Sequence, residues 1–401
     1  MRITAIETLL LGGFPNMCWV RVETDAGITG WGETKNGAGA VSAHIHDGLA
    51  PTLLGDDPMA IDRLSRFMLY PYCGYKSTGA EIRAASAVDL ALWDIRGKAL
   101  NVPVYELLGG KTRERVRTYN TCAGHGYVSK GAYSPVKSWS EGAPVDGRDF
   151  EDLDAFLHRA DELAESLLAM GFSGMKIWPF DQFAGESGGA YISAADLKKA
   201  LQPFEKIRKR VGDKIDIHVE MHSMWRLPAA ITIAKALEPY NPIWIEDPIS
   251  MANLDAVAEF KRHTDIWVAA SETLSTRWGF RDALEKNATS LAIFDIIWSG
   301  GLTEGKKIAT LAETYEIPVA PHNCGGPLTM AASVHMSLNA TNTLVQEMVR
   351  AFYFGWHQEV AENLPRFENG YLYAPDGPGL GTRLKADILD RPDAVRRRTA
   401  L

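Results

Sequence analysis

The sequence predicts an α/β fold: a (β/α)8 barrel of the TIM type, preceded by a smaller α+β domain. Two observations predict it. Residues 1–112 contain alternating strand patterns followed by helical patterns, whereas residues 113–355 contain eight short apolar runs separated by amphipathic helices. At roughly 150 residues per domain, a chain of 401 residues has room for both units.

The α+β region begins with strand patterns at residues 2–11 and 16–23. The turn sequence Asp25-Ala26-Gly27 joins the second of these to a third strand at residues 28–33, as in a β-hairpin. An apolar helical stripe follows over residues 82–100, and Asn101-Val102-Pro103 provides its stop signal.

The eight apolar runs lie at residues 116–122, 174–178, 215–221, 242–246, 266–270, 291–296, 317–320 and 344–348. The clearest intervening helix is predicted at residues 152–170, where leucines recur at i, i+3 and i+4 spacing. Eight strands alternating with helices favour a parallel barrel. A doubly wound open sheet is the alternative, but Cys122-Ala123-Gly124-His125-Gly126 is a poor match to its phosphate-binding turn.

Composition excludes several classes of protein. The net charge of −8 argues against nucleic-acid binding, and Arg396-Arg397-Arg398 is interpreted as a solvated tail. No apolar stretch reaches about 18 residues, so no membrane span is expected. Glu7 interrupts any signal-peptide core, which predicts a cytoplasmic protein. The four cysteines are scattered and are interpreted as reduced thiols.

Polar residues follow the predicted barrel strands where those strands end. They are Lys176, Glu220, His222, Glu246, Asp247, Glu272, Asp295, His322 and Glu347. From Glu220 onward, one such residue recurs every 23 to 27 positions, about the length of one βα unit. Because the carboxyl ends of parallel barrel strands meet at one mouth, these side chains are expected to converge there.

Three of these residues, Glu220, Glu246 and Glu272, come from consecutive strands. Their carboxylates would repel one another unless a cation neutralised them, and an all-oxygen set favours one Mg²⁺ per subunit. Asp295 and His322 fall on the next two strands. An aspartate that fixes the tautomer of an imidazole suits a general base.

Three stretches resemble a known family: residues 86–110, Trp244-Ile245-Glu246-Asp247-Pro248 and Gly300-Gly301-Leu302-Thr303-Glu304. They are similar to the enolase superfamily, and within it to the mandelate racemase/muconate lactonizing enzyme-like group and its galactonate-type acid-sugar dehydratases. The resemblance implies that residues 356–401 return to complete the capping domain over the barrel mouth. It also implies a Mg²⁺-assisted reaction that begins by removing the proton α to a carboxylate.

The resemblance also implies site roles. Glu220, Glu246 and Glu272 match metal ligands, and Asp295 with His322 matches the base. Glu347 matches the acid that bonds the substrate carboxylate, and Lys176 matches the first lysine of a K-x-K motif that neutralises it. His222 lies where galactonate-type dehydratases place the acid for the leaving hydroxyl.

Two departures from the family pattern bear on the reaction. The third-strand ligand is Glu220 where aspartate is usual, and Trp178 replaces the second lysine of K-x-K. Indole is not a base, so racemisation is disfavoured and β-elimination of the 3-hydroxyl to a 2-keto-3-deoxy acid is predicted. The alternatives are a carboxylate epimerase, racemase or cycloisomerase, and a family member that only binds or regulates.

The expected partners are a small acid-sugar substrate and further copies of the chain, forming a dimer to an octamer. Candidate substrate contacts are Asn16, His125, Trp178 and Trp298, of which the two tryptophans could stack on a sugar. The long segments 124–148 and 180–193 follow the first two barrel strands and are interpreted as lids.

Overall fold

The computed structural model describes residues 1–70, 79–125 and 150–401. Its strands are β1 (Ile3–Leu11), β2 (Met17–Thr24), β3 (Thr29–Lys35), β4 (Val116–Thr121), β5 (Gly174–Ile177), β6 (Asp216–Glu220), β7 (Trp244–Glu246), β8 (Trp267–Ala270), β9 (Leu291–Ala292), β10 (Gln346–Met348), β11 (Ala361–Glu362), β12 (Arg366–Glu368), β13 (Tyr371–Tyr373), β14 (Arg383–Leu384) and β15 (Ala394–Ala400).

Its α-helices are α1 (Ala38–His44), α2 (Ala50–Leu53), α3 (Ile61–Leu69), α4 (Ala80–Leu100), α5 (Val104–Leu108), α6 (Asp152–His158), α7 (Ala160–Ala169), α8 (Ala194–Val211), α9 (Leu227–Leu237), α10 (Leu254–Lys261), α11 (Thr276–Glu285), α12 (Ile296–Ser299), α13 (Gly301–Thr314), α14 (Pro327–Asn339), α15 (Arg350–Tyr353) and α16 (Trp356–Val360). Among the described residues, no helix is both long enough and apolar enough to span a membrane.

The N-terminal domain is an antiparallel sheet of order β15-β1-β2-β3 covered by α4. The C-terminal strand β15 pairs with β1 along its whole length, from Ala5 opposite Ala400 to Leu11 opposite Ala394. The interpretation of Arg396–Arg398 as a solvated tail is therefore wrong in one part: the three arginines are exposed, as expected, but they belong to a strand of the sheet. These arginines lie in β15 and form ion pairs with Glu7 of β1, with Asp47 in the helical turn after α1 and with Glu23 of β2.

Two glycines of β3 let the sheet approach α4 closely. A Cβ atom on Gly32 would lie 1.9 Å from the carbonyl oxygen of Ala87, and one on Gly30 would lie 2.1 Å from that of Ala91. Both carbonyl oxygens belong to the backbone of α4, which cannot move aside as a flexible side chain could. The contact therefore requires glycine at both positions.

We expect Gly32→Ala to lower the free energy of unfolding by about 1 to 3 kcal/mol, because the new methyl group overlaps helix backbone. Urea unfolding measures the change. Gly39→Ala is the matched control: Gly39 is exposed in α1, and a Cβ atom added there would have no neighbour within 4 Å. That variant should gain up to about 1 kcal/mol through helix propensity. Equal effects at the two positions would contradict the close-approach explanation.

The C-terminal domain contains parallel strands paired in the order β4 to β9. Beyond β9, single parallel bridges join Ala292 to Val319 and Val319 to Thr343. β10 then pairs in parallel with β4. The molecule is thus mixed α/β with an N-terminal and a C-terminal domain, and the carboxyl ends of its parallel strands point the same way.

Three predicted elements differ from the structure. Residues 317–320 form bridges without a continuous strand, and the strand predicted at 291–296 ends at Ala292. Beyond Ala292 a single bridge joins Asp295 to His322, and the chain then enters α12, which the side chain of Asp295 caps by accepting a hydrogen bond from the backbone N–H of Ile297. The helix predicted at 152–170 is divided into α6 and α7 at Arg159, whose φ is −135°.

Buried carboxylates join the two domains. Asp89 of α4 accepts hydrogen bonds from the backbone N–H and hydroxyl of Thr303 in α13. Glu33 of β3 accepts the equivalent pair from Thr329 in α14. Burial raises the pKa of each carboxyl to about 7, although the hydrogen bonds from threonine oppose the rise. The N-terminal domain is thereby fixed to the helices that follow β9 and His322.

Candidate active site

The strand-end residues predicted from the sequence converge at one end of the parallel strands. Lys176, Glu220 and Glu246 lie on β5, β6 and β7, while Glu272 and Asp295 lie beyond the ends of β8 and β9. Residues Glu220 and Glu246 are direct partners in the parallel register. A backbone bridge likewise pairs Asp295 with His322. Strand register therefore sets the spacing of the site.

Glu220, Glu246 and Glu272 form the acidic triad. One oxygen from each carboxylate lies within 4.8 Å of the others. Oε2 of Glu220 and Oε1 of Glu246 are buried and accept no hydrogen bond from any residue that the structure describes. Burial raises the pKa of Glu246 well above its usual value, and the charge of Glu220 raises it further. Buried, unsatisfied and mutually repelling oxygens fit a hard divalent cation such as Mg²⁺.

Lys176 lies between the triad and Glu347. Its Nζ is 2.9 Å from Oε2 of Glu246, 2.9 Å from Oε1 of Glu347 and 3.4 Å from Oε2 of Glu220. Burial would lower the pKa of Lys176, but the surrounding carboxylates raise it well above its usual value. In this arrangement Lys176 is a fixed ammonium ion that does not readily give up its proton.

His322 is held by carboxylates on both ring nitrogens. Nδ1 lies 2.7 Å from Oδ2 of Asp295, and Nε2 lies 2.6 Å from Oε2 of Glu272. Burial would lower the pKa of His322, but Glu272 and Glu347 raise it well above its usual value. A cation on the triad would share the charge of Glu272 and so reduce its hold on Nε2. Asp295 would still orient the ring through Nδ1.

Glu347 has protein partners on both carboxylate oxygens. Oε1 accepts from the hydroxyl of Thr121 and contacts Lys176, and Oε2 accepts from the backbone N–H of Asn323 at 2.7 Å. Burial would raise the pKa of Glu347, but Lys176 and His322 lower it below its usual value. Glu347 is therefore ionised in this arrangement and acts as an acceptor.

His222 follows β6 and turns back toward the segment after β5. Its backbone N–H donates to Oε1 of Glu220 at 2.8 Å, and its Nδ1 lies 2.6 Å from Oδ2 of Asp181. Burial would lower the pKa of His222, but Asp181 and Glu220 raise it to about 10. His222 is thus an imidazolium at neutral pH and a proton donor.

Of the predicted aromatic contacts, Trp298 lies beside His322 and Trp178 lies beside His222. The ring centroids of Trp298 and His322 are 5.4 Å apart, and the Trp298 indole N–H donates to the carbonyl of Lys35. The ring centroids of Trp178 and His222 are 5.7 Å apart. Trp178 is only 3 % exposed and packs edge-on against Phe156, so little of its face is left for a sugar.

The contacts described for the other two predicted substrate residues lie elsewhere. The backbone N–H of His125 donates to Glu151, and the carbonyl of Asn16 accepts from Asn36 in the turn beyond β3. Most of the predicted lid at 124–148 lies outside the described residues. The other predicted lid, residues 180–193, contains a 3₁₀ turn at Asp181–Phe183 that buries Asp181 against His222.

Two further residues at the site are not predicted by the sequence patterns. Asp181 pairs with His222 across 41 positions, and only its place just after a barrel strand could have suggested it. Arg83 of α4 lies over Trp298, with 5.2 Å between its guanidinium carbon and the ring centroid, and its Nε is buried without an acceptor among the described residues. The signal for Arg83 is a charge within the apolar helix α4.

A cavity of about 580 Å³ lies between the two domains. Ser223 and Thr273, which follow His222 and Glu272, line it from the C-terminal domain together with Met251 and Trp278. Leu69 and Ile82 line it from the N-terminal domain. Residues of both domains therefore line the cavity, and two of them directly follow His222 and Glu272 in the chain.

Sequence comparison agrees with this geometry. Residues 15–109 match the Mandelate racemase / muconate lactonizing enzyme, N-terminal domain, and residues 159–388 match the Enolase C-terminal domain-like family. The chain therefore belongs to the mandelate racemase / muconate lactonizing enzyme family of the enolase superfamily, which confirms the resemblance seen in the sequence.

Two relatives and one crystal structure are similar to this chain over most of its length. The chain is 31 % identical to a D-galactonate dehydratase of Ralstonia pickettii, over 98 % of this chain and 94 % of the relative. It is 30 % identical to a D-xylonate dehydratase of Haloferax volcanii, over 97 % and 88 %. A crystal structure of an enolase of the mandelate racemase subgroup from Agrobacterium tumefaciens matches with a TM-score of 0.88 and 47 % identity, over 100 % and 99 % of the two chains.

Proposed function

We propose that the protein is a Mg²⁺-dependent acid-sugar dehydratase that forms a 2-keto-3-deoxy sugar acid. The observation that carries the proposal is the pair of histidine–aspartate contacts around one acidic triad: His322 with Asp295, and His222 with Asp181. Elimination of water needs one base and one acid, and the two histidines can supply them. The dehydratase relatives support the same reaction class.

The proposal includes a (β/α)8 barrel closed by the pairing of β10 with β4. In such a ring, β6 is the third strand and the segment of His322 is the seventh. The third and seventh positions of eight lie across the mouth from each other, so His222 and His322 would flank a bound substrate from opposite sides. This placement suits an acid and a base that act on neighbouring carbons.

In this mechanism, Glu220, Glu246 and Glu272 would hold the Mg²⁺. The bound cation supplies Lewis-acid stabilisation of the negative charge that develops on the substrate carboxylate when its α-proton leaves. Lys176 adds a second, fixed positive charge beside it. Because Glu347 is ionised, its role in the proposal is to hold Lys176 rather than to donate to the substrate carboxylate.

His322 would remove the α-proton through Nε2, while Asp295 on Nδ1 keeps the ring oriented and stabilises the imidazolium that forms. His222, already protonated, would give its proton to the departing 3-hydroxyl. Until His222 gives up this proton, Asp181 balances the positive charge of its imidazolium and orients the ring. The enol product converts to the 2-keto form without further help from the protein.

The direct test is to incubate the protein and Mg²⁺ with a stereochemically complete set of acid sugars and to measure 2-keto-3-deoxy product. We expect one substrate or a small group of stereoisomers to react. The dehydratase proposal fails if no member loses water while the same preparation exchanges or inverts the C2 proton of one of them. Such an outcome would assign an epimerase or cycloisomerase.

His222→Asn separates the two proton transfers. We expect dehydration to fall by about 10²- to 10⁴-fold while C2 proton exchange in D₂O persists, because the acid acts after the α-proton has left. Asp181→Asn should give a smaller loss of the same kind. His263→Asn, at an exposed histidine paired with Glu259, is the control. Equal loss of exchange and dehydration in His222→Asn would contradict this division of labour.

A one-base site should act on only one C2 configuration. Trp178 occupies the position of a second lysine and cannot accept a proton, and Lys176 is held as an ammonium ion. Each C2 epimer is incubated with Mg²⁺ while water loss and C2 inversion are followed by NMR. We expect one epimer to react and the other to remain unchanged. Inversion faster than dehydration would reveal a second base, at Lys176 or His222, and would favour the epimerase alternative.

A further inference from the structure

A second group of candidate ligands lies beside the acidic triad and differs from it in chemistry. His322, Cys324 and Glu347 are buried, and one donor atom from each lies within 4.8 Å of the others. Cys324 also contacts His322 through its side chain. The group offers one nitrogen, one sulfur and one oxygen, whereas the triad offers oxygen only.

We propose that His322, Cys324 and Glu347 form an inhibitory Zn²⁺ site. Zn²⁺ binds histidine nitrogen, cysteine sulfur and carboxylate oxygen in tetrahedral geometry, and a water molecule can fill the fourth position. Oxygen and nitrogen ligands of one tetrahedral Zn²⁺ lie about 3.4 Å apart, given bonds of about 2.1 Å. Nε2 of His322 and Oε2 of Glu347 are 3.7 Å apart, so a small side-chain movement brings them into range.

The surroundings of His322 favour Zn²⁺ coordination. Nδ1 is bound to Asp295, so Nε2 is the nitrogen that would bind Zn²⁺, and the ion would displace the contact of Nε2 with Oε2 of Glu272. At protein zinc sites, a coordinating histidine usually donates a hydrogen bond from its other ring nitrogen, for example to a carboxylate. Lys176 contacts Oε1 of Glu347, so Oε2, on the side of His322, is the oxygen that would bind Zn²⁺ with its second lone pair, beside the hydrogen bond that it accepts from the backbone N–H of Asn323.

The two neighbouring sites would select different cations. Mg²⁺ prefers oxygen ligands and gains little from a thiol, so it would occupy the acidic triad. Zn²⁺ gains from Cys324, whose thiol loses its proton on coordination. An ion held by Nε2 of His322 takes up the lone pair that a general base needs. Zn²⁺ would therefore inhibit an enzyme whose Mg²⁺ site is already full.

Co²⁺, added to the Mg²⁺-saturated protein, tests this site without any substrate. We expect a near-ultraviolet thiolate-to-cobalt charge-transfer band in the wild-type protein and in Cys122→Ser, whose cysteine is buried elsewhere, at the end of β4. The band should be absent from Cys324→Ser and Cys324→Ala, with circular dichroism confirming that both variants are folded. No band in the wild type, or an unchanged band in the folded Cys324 variants, would overturn the proposal.

Inhibition provides the second measurement once a substrate is known. With Mg²⁺ in excess, Zn²⁺ should inhibit the wild-type protein, and the concentration for half inhibition, measured relative to each protein's own activity without Zn²⁺, should rise by about tenfold or more in Cys324→Ser. Equal inhibition of both proteins would place Zn²⁺ at the acidic triad and contradict the proposal. The cobalt experiment remains decisive even if the dehydratase proposal fails.

Discussion

His322→Asn should remove C2 proton exchange and dehydration together, each by about 10²- to 10⁴-fold, because asparagine cannot accept the α-proton. The experiment follows loss of the C2 proton signal in D₂O by NMR, with Mg²⁺ present. The rate of C2 proton exchange should fall together with the rate of dehydration, since proton removal is the first step of the proposed reaction. His335→Asn, at a buried histidine bonded to the carbonyl of Leu380, controls for the effect of losing an imidazole from the core.

Persistent exchange in His322→Asn would transfer the role of base to another group. Asp295→Asn then distinguishes the two functions of the pair. It keeps a hydrogen-bonding side chain beside Nδ1 of His322 but removes the charge that stabilises the imidazolium. We expect its rate to lie between those of wild type and His322→Asn. A wild-type rate in Asp295→Asn would show that this contact is structural only.

Glu246→Gln should weaken Mg²⁺ binding by about 10²-fold or more and abolish turnover at ordinary Mg²⁺ concentrations. Mutation of a residue that only hydrogen-bonds to a metal ligand already lowers metal affinity by about 10- to 100-fold, and the loss of a ligand itself should cost at least as much. Glu246 also contacts Lys176, so the substitution removes a negative charge from beside both the Mg²⁺ and the Lys176 ammonium group. Isothermal titration calorimetry measures the affinity. Glu205→Gln, at an exposed glutamate of α8, is the matched control.

Retained Mg²⁺ affinity in Glu246→Gln would remove Glu246 from the metal site. Rescue of turnover by high Mg²⁺ would instead support its role as a ligand, since the deficit would then lie in binding. Unfolding should be measured without Mg²⁺ for the same variant. We expect no large loss of stability there, because the substitution removes one of several mutually repelling buried charges.

The strand-end residues could be predicted because they recur at a regular spacing along the sequence. Glu220, Glu246 and Glu272 recur at the length of one βα unit, and parallel strands bring such positions together whatever the loops do. The predicted strand at residues 317–320 shows the limit of that reasoning. An apolar run predicts burial near the sheet, but continuous pairing depends on the neighbouring strands, and here only Val319 forms bridges.

Contacts that depend on loop geometry could not be predicted. Asp181 reaches His222 through a 3₁₀ turn inside an irregular segment, for which no periodicity exists. Arg83 reaches the site only because α4 packs on β3 and brings its N-terminal turns over Trp298. The ion pairs of the β15 arginines could not be predicted either, because their acidic partners are distant in sequence: Arg396 and Glu7 are 389 positions apart.

The pairing of β15 with β1 also constrains how the protein is made. During synthesis, β1, β2 and β3 leave the ribosome long before residues 394–400 exist, so the edge of β1 that will receive β15 is open for most of translation. An open strand edge can pair with another chain. Contacts over such separations are also slow to form. We therefore expect the C-terminal domain to fold first on the nascent chain, with the N-terminal sheet completed only after β15 emerges, and newly made chains to aggregate most readily in that interval.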